Sequence, residues 1–293
     1  MFFYVFVSGD CNAQMLVKTE YLTRSSFMED EENKIGSGDL LKISGRYSMP
    51  LSVKRYESGR PIMWIVSAVG SYGILNNKGM AKEANPNNIL NVSLNLAHTR
   101  PISDKWYLIM SSGLGIYSVP DAISTKSILF NGGVIFIRKI RNTLDLGIGL
   151  GLTNSYGIPL AMPMSIIKWE LPGKYEVNAD IANGMEISIS VKLTDKLKLK
   201  LIAMELDGMS SIMNIEEKSM IYATTIMKSY LSVEYKPNRS VIFYIGAGSA
   251  WMRSVTITNR NLKDFFSNLF HNNRKLDFKG TTYITAGLRY GYK

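Results

Sequence analysis

The chain has one cysteine, Cys11, and two histidines, His98 and His271. A lone cysteine excludes an internal disulfide framework and a cysteine-rich metal centre, and so few histidines leave little material for imidazole chemistry. Long apolar runs are missing as well. No segment approaches the ~18–20 uninterrupted apolar residues of a membrane helix, although 46% of the 293 residues are apolar. No Pro/Ser-rich linker or low-complexity tract marks a boundary, which reads as one domain. Acidic residues are outnumbered, with 24 Asp+Glu against 34 Lys+Arg, leaving a net charge of +10. Such a surplus suits acidic neighbours such as lipopolysaccharide phosphates or an anionic solute. The basic residues are spread along the chain rather than clustered with aromatics, which argues against nucleic acid as a partner.

What the chain does have is a two-residue rhythm. From Leu144 to Thr153, one phase carries Leu144, Leu146, Ile148, Leu150 and Leu152, and the other Asp145, Gly147, Gly149, Gly151 and Thr153. Side chains of a strand alternate between its faces, so this segment is apolar on one side and small or polar on the other. Leu40–Lys54 opposes Leu41, Ile43, Tyr47, Met49, Leu51 and Val53 to Lys42, Ser44, Arg46, Ser48 and Lys54. Leu90, Val92, Leu94 and Leu96 oppose Asn91, Ser93, Asn95 and Ala97, while Ile187, Ile189, Val191 and Leu193 oppose Glu186, Ser188, Ser190 and Lys192. Leu197, Leu199 and Leu201 alternate with Lys196, Lys198 and Lys200. Further strands are predicted at Met15–Phe27, Ile62–Leu75, Trp106–Val119, Leu160–Leu171 and Lys174–Ile181, then at Ser219–Lys236, Ser240–Thr256 and Leu276–Tyr292. Lys126–Ile140 also reads as a strand, without a clear phase.

The connections alternate in length. Glu57–Pro61, Ser103–Lys105, Arg141–Asn142, Pro172–Gly173, Thr194–Asp195 and Lys236–Arg239 are tight and rich in turn formers. Met28–Gly38, Asn76–Asn87, Pro120–Thr125, Asn154–Pro159, Asp207–Lys218 and Ile257–Lys275 are mostly longer. Ala182–Gly184 is short where a long connection is expected. Short turns at one end and long loops at the other characterise outer-membrane barrels, with the short turns in the periplasm. The fold predicted is all-β, a single antiparallel transmembrane up-and-down barrel of about fourteen strands. Twelve is the alternative, if Lys174–Ile181 and its successor form a loop excursion. A soluble β-sandwich binding protein is the competing class.

Trp64, Trp106, Trp169 and Trp251 fall near strand ends, as interfacial girdles require. The chain opens on apolar residues 2–7 and then runs through Ser8, Gly9 and Asp10 to Asn12-Ala13-Gln14. This reads as the tail of a secretory signal, a truncated remnant at residues 1–13, with the barrel at residues 14–293. Asp10 before Cys11 does not suit a lipid-attachment box. The closing Ile284–Tyr292 carries an aromatic-ended phase, resembling the strand read by the outer-membrane assembly machinery, with Lys293 one residue beyond. Together with Leu41-Lys-Ile-Ser-Gly-Arg-Tyr-Ser-Met-Pro-Leu51 and the glycine-rich strands, these features resemble a Bacteroidetes family of outer-membrane β-barrels of unassigned function. The resemblance spans about Gln14 to Lys293. It implies export to the outer membrane and carries no site residues.

His98 sits on the apolar phase near a short turn, a place for an interface residue rather than a general base. His271 lies in the final long connection without an HxxE or GxSxG context. No catalytic residue, metal ligand or cofactor is assigned, and the chain reads as a non-enzyme. The polar phase carries Lys42, Arg46, Asp145, Glu176, Asp180, Glu186, Lys192, Lys196, Lys198, Lys200, Lys228 and Arg289 as candidate lumen charges. A hydrated lumen with cross-strand pairs is the plain reading, and a net basic pore favouring anions the sharper one. In the last connection, Leu262, Phe265, Phe266 and Leu269 form one apolar stripe of a possible helical turn. With Arg260, Lys263, Arg274 and Lys275 it is a candidate contact for lipid phosphates. The function expected is a passive pore or transporter for a small solute. The alternative is a non-conducting barrel that binds or organises surface lipid or lipopolysaccharide.

Overall fold

The alternation becomes the wall of a closed barrel. The computed structural model describes residues 13–30, 33–54, 61–153, 160–170, 174–180, 185–215, 218–259 and 276–291. In chain order the strands are β1 (Gln14–Glu29), β2 (Asn33–Lys54), β3 (Ile62–Gly79), β4 (Asn88–Pro101) and β5 (Trp106–Ser118). They continue with β6 (Ile128–Arg141), β7 (Leu144–Thr153), β8 (Leu160–Glu170), β9 (Tyr175–Asp180) and β10 (Glu186–Lys192). The last are β11 (Leu197–Ile215), β12 (Lys218–Tyr235), β13 (Val241–Asn259), β14 (Leu276–Phe278) and β15 (Thr281–Tyr290). A one-turn helix, α1 (Met80–Ala84), sits between β3 and β4. Both β14 and β15 pair with β1 on one side and β13 on the other, so they are two pieces of one stave. The barrel therefore has fourteen antiparallel staves, closed by β1 against β15 from Met15↔Tyr290 to Leu22↔Tyr283. β9 and β10 remain separate strands, which removes the twelve-strand alternative.

Closure turns the apolar phase outward. Ile148 is 70% exposed, Leu150 67%, Ile245 61% and Leu94 60%. A sandwich would bury these faces against a second sheet. Here they form an apolar belt, which is stable only against lipid. Trp64, Trp106 and Trp169 lie at the short-turn ends of β3, β5 and β8, all exposed, as an interfacial girdle needs. β6 had no readable phase because both its faces are apolar. Phe130, Val134 and Phe136 face out, while Ile135 and Ile137 face in and pack with Tyr107, Ile109 and Met164.

The long-loop end differs most from the sequence expectation. Asp207–Lys218 was expected as an external loop, but β11 and β12 continue through it as a hairpin paired from Glu205↔Lys228 to Ile215↔Lys218. Beyond Glu205 β11 parts from β10 and leans into the lumen, while β12 stays paired with β13 as far as Met220↔Asn259. Ile212 reaches Ser118 of β5, six staves away, where the Ile212 carbonyl accepts from Ser118 Oγ at 3.2 Å and Val119 N–H at 3.4 Å. Residues 209–213 and 221–224 are buried on both faces, which a wall strand with one lipid face cannot be. Met209, Met213, Tyr222 and Ile226 join Leu22, Leu40, Leu75, Ile89 and Phe278 in one apolar core. Gly73 leaves the gap that Met209 fills, since a Cβ there would meet its sulfur at 2.8 Å.

Two other expected loops are also structured. β1 and β2 extend to Glu29 and from Asn33, so Met28–Gly38 is largely strand. β3 runs to Gly79, whose φ of 65° turns the chain into α1. Asn85, just after α1, accepts a hydrogen bond on Oδ1 from the Tyr222 hydroxyl at 2.7 Å and so holds the flap.

Candidate functional site

Below the flap the lumen phase of β1, β2, β11 and β12 converges on a buried charge cluster. Lys228, only 2% exposed, places Nζ 2.5 Å from Glu20, 3.1 Å from Glu205 and 3.3 Å from Asp207. Lys42 lies 2.5 Å from Asp207 and 3.7 Å from Glu20, and Lys18 lies 2.9 Å from Glu20 and 3.3 Å from Glu205. Tyr283 donates to Glu20 at 2.6 Å and Tyr230 to Glu205 at 2.8 Å. The three carboxylates lie within 4.8 Å of one another, close enough to hold a cation. Three ammonium groups already supply that charge. Such burial is tolerable only because each charge has partners.

Bulges place this cluster where the wall bends. Register shifts fall between Ile202 and Glu205 in β11 and, opposite Met227 and Lys228, at Trp251 in β13. A bulge re-aims the strand that carries it. Glu205, Asp207 and Lys228 therefore sit at the base of the flap, and their pairing with β1 and β2 fixes its inward angle.

Toward the short turns the charges form a looser ladder. Arg289 pairs with Glu234, Lys200 with Glu186 at 2.7 Å, and Lys198 with Glu176 at 2.5 Å. Side-chain exposure rises along this path, from 2% at Lys228 to 25% at Arg289, 33% at Glu176 and 61% at Lys192. The short-turn end is thus solvated along β9–β11, whereas Gln14, Met63, Ile65, Tyr107, Ile109 and Ile137 are buried across the rest of it. Between the cluster and the ladder lies a cavity of 490 Å³, within the ~300–1,000 Å³ of small-molecule pockets. Its charged lining is balanced. Lys18, Lys42, Arg46, Lys200 and Arg289 face Glu20, Glu186, Glu205, Asp207 and Glu234. The rest includes Met162, Met164, Met185, Met209, Tyr117, Tyr230 and Tyr244.

Most of the predicted lumen charges do face inward. Lys42, Arg46, Glu186, Lys200 and Arg289 line the cavity, Lys228 lies in the cluster, and Glu176 and Lys198 pair below it. Asp145, buried at the short-turn end of β7, stands opposite Lys168. Lys196 is a correction. It lies exposed in the β10–β11 turn, its N–H bonded to Thr194 Oγ1, because the chain has already left the wall there. Asp180 ends β9, and its side chain lies outside the described residues. The loop candidates Arg260, Lys263, Phe265, Phe266, Arg274 and Lys275 lie outside them too, as do His271 and residues 1–12. His98 stacks on Trp64 with centroids 4.2 Å apart and bonds the Met63 carbonyl through Nδ1, an interfacial contact remote from the cavity. Reading the sequence missed Lys18, Glu20, Glu205 and Asp207. Lys18 and Glu20 share the polar phase of β1 opposite Ser44 and Lys42, so that alternation was the available signal.

A family described as a domain of unknown function, DUF6268, matches residues 9–291. The chain belongs to this family. No curated protein matches it. This DUF6268 chain is similar to solved barrels at low identity. The NanC porin shares 8% identity over 94% of this chain and 98% of its own, with a TM-score of 0.34. The KdgM porin, solved with oligogalacturonate, shares 8% over 94% and 99%, with a TM-score of 0.29. A deletion mutant of the monoaromatic hydrocarbon channel TodX shares 7% over 96% and 90%, with a TM-score of 0.42. No residue or substrate is carried across from them.

Proposed function

We propose that this DUF6268 protein is an outer-membrane barrel for passage of a small solute, which it holds in the 490 Å³ cavity. A cleaved export signal ending near Ala13 and a Bacteroidetes source belong to the same proposal. The observation that carries it is the ligand-sized cavity midway in the lumen, flanked by the solvated charge ladder of β9–β11 on one side and covered by the flap on the other. The balanced lining does not favour the net basic, anion-selective pore expected from the polar phase. A neutral, zwitterionic or amphipathic solute suits paired charges beside methionines and tyrosines better.

The seal is strong. Met209, Ile212, Met213, Ile221, Tyr222 and Ile226 are all buried in it, at roughly 1.5–3 kcal/mol each. Withdrawal of the flap costs on the order of 10 kcal/mol on that count, so the axial route is shut at rest. A variant with Gly208–Thr225 replaced by an Asn-Gly turn tests this in planar bilayers. The native barrel is expected to conduct little, and the shortened one to show steady ohmic current. A silent shortened barrel would mean a filled lumen and would favour the lipid-organising alternative.

A further inference from the structure

A solute that enters from the short-turn end needs a second way out, and the wall provides one. β8 pairs with β7 from Leu160 to Trp169, but with β9 only from Ile166 to Glu170. On the other side, β10 pairs with β11 no further than Glu186↔Glu205, and the last bond runs from Leu206 N–H to the Met185 carbonyl at 2.7 Å. β11 then turns into the lumen toward Ser118. Among the described residues, the edge of β8 from Ala161 to Ser165 therefore faces no partner strand. Among those residues the pairing between β8 and β11 stops partway up.

Exposure marks the same place. Met162 shares the lumen phase of β8 with Met164, since they pair with Gly151 and Gly149. Met164 is 5% exposed, whereas Met162 is 44% exposed. Ala161 and Pro163, of the opposite phase, are exposed as well, so this end of β8 is uncovered on both faces. Met162, Met164, Met185 and Leu206 also line the cavity, next to Glu186 and Lys200. Unbranched thioethers adapt to varied apolar shapes.

We infer that this break is a lateral portal, through which a single-chain amphiphile moves between the cavity and the outer half of the bilayer. Its tail lies along Met162, Met164 and Leu206, and its head lies among the paired charges at Glu186 and Lys200. The flap closes the axial route, and a tail that leaves sideways passes directly into lipid without crossing water. The choice of solute rests on the passage reading above, whereas the portal rests on strand pairing alone.

The test uses the full-length barrel with Cys11→Ser, carrying a bimane label on Met162→Cys, on Ile148→Cys as lipid-facing control, or on Ser44→Cys as lumen control. Each is refolded into vesicles of plain or acyl-brominated phosphatidylcholine. Bromine is expected to quench the label at position 162 as strongly as at 148, and to leave 44 unchanged. Quenching at 162 no greater than at 44 overturns the portal. Dansyl-undecanoate is the ligand probe. Met162→Arg, shown folded by its heat-modifiable migration, is expected to bind it roughly tenfold more weakly because it places a charge in an apolar channel. Unchanged affinity, or no binding by the native barrel, overturns the amphiphile. Quenching is read without flux, so the two readings fail separately. A silent flap-shortened barrel with a quenched Met162 removes the passage reading, and a conducting flap-shortened barrel with a shielded Met162 removes the portal.

Discussion

Replacing Lys228 with methionine probes the centre of the molecule. The side chain keeps its length and packing against Tyr283, where Nζ stands 4.9 Å from the ring centroid, but loses its charge. Glu20, Glu205 and Asp207 then face only Lys18 and Lys42. At an effective dielectric of about 20, each contact near 3 Å is worth roughly 5 kcal/mol of attraction, most of which is spent on removing the ions from water. Removing one partner exposes that desolvation cost, and losses of about 3–5 kcal/mol are typical for buried pairs. Lys228→Met is therefore expected to lose about 3–5 kcal/mol in guanidinium unfolding from lipid–detergent micelles, with an unchanged slope. Adding Glu20→Gln restores two carboxylates against two ammonium groups. The double variant is expected to be more stable than Lys228→Met alone, a coupling that a double-mutant cycle measures. A loss below about 1 kcal/mol from Lys228→Met, or a double variant at the sum of the singles, would refute the cluster's role.

The glycines of β7 make a second prediction. A Cβ on Gly149 would meet the Val134 carbonyl oxygen at 2.1 Å, whereas one on Gly151 would meet the flexible Met164 sulfur at 2.8 Å. Gly149→Ala is expected to cost about 1–3 kcal/mol and Gly151→Ala less, as midpoints of denaturation will show. His98→Ala removes the stack on Trp64 and is expected to cost about 0.5–1.5 kcal/mol, while solute flux into proteoliposomes stays unchanged. A fall in flux would return His98 to the functional site.

The wall was legible in the sequence because lipid and lumen impose opposite demands on alternate residues. Leu144 to Leu152 face out and Asp145 faces in as the alternation requires, and strand count and closure follow from repeating that pattern between short turns. The glycines on the inner phase proved less spacious than the pattern suggests. Gly147, Gly149 and Gly151 admit Ile137, the Val134 carbonyl and Met164, so they serve close packing rather than a wide pore. The flap was hidden for a related reason. Met209 to Met213 and Ile221 to Ala223 are buried on both faces, so their sequence shows no two-residue period and resembles a loop. Lys18 and Glu20 were visible on the inner phase of β1, but their partners Glu205 and Asp207 stand beyond a bulge that breaks the phase of β11. The candidate site was thus half legible, since the wall charges follow the alternation and the flap charges do not.

The closed lumen requires the β11–β12 hairpin to lie inside the barrel. Ser118 and Ile212 are strand partners, and neighbouring strands bring Cα atoms to about 5 Å, a separation a disulfide can span. In a Cys11→Ser background, Ser118→Cys with Ile212→Cys is expected to cross-link on mild oxidation in intact membranes, and Ile212→Cys alone to resist a membrane-impermeant maleimide. Failure to cross-link, together with rapid labelling of position 212 from outside, would show an external loop and contradict the closed lumen.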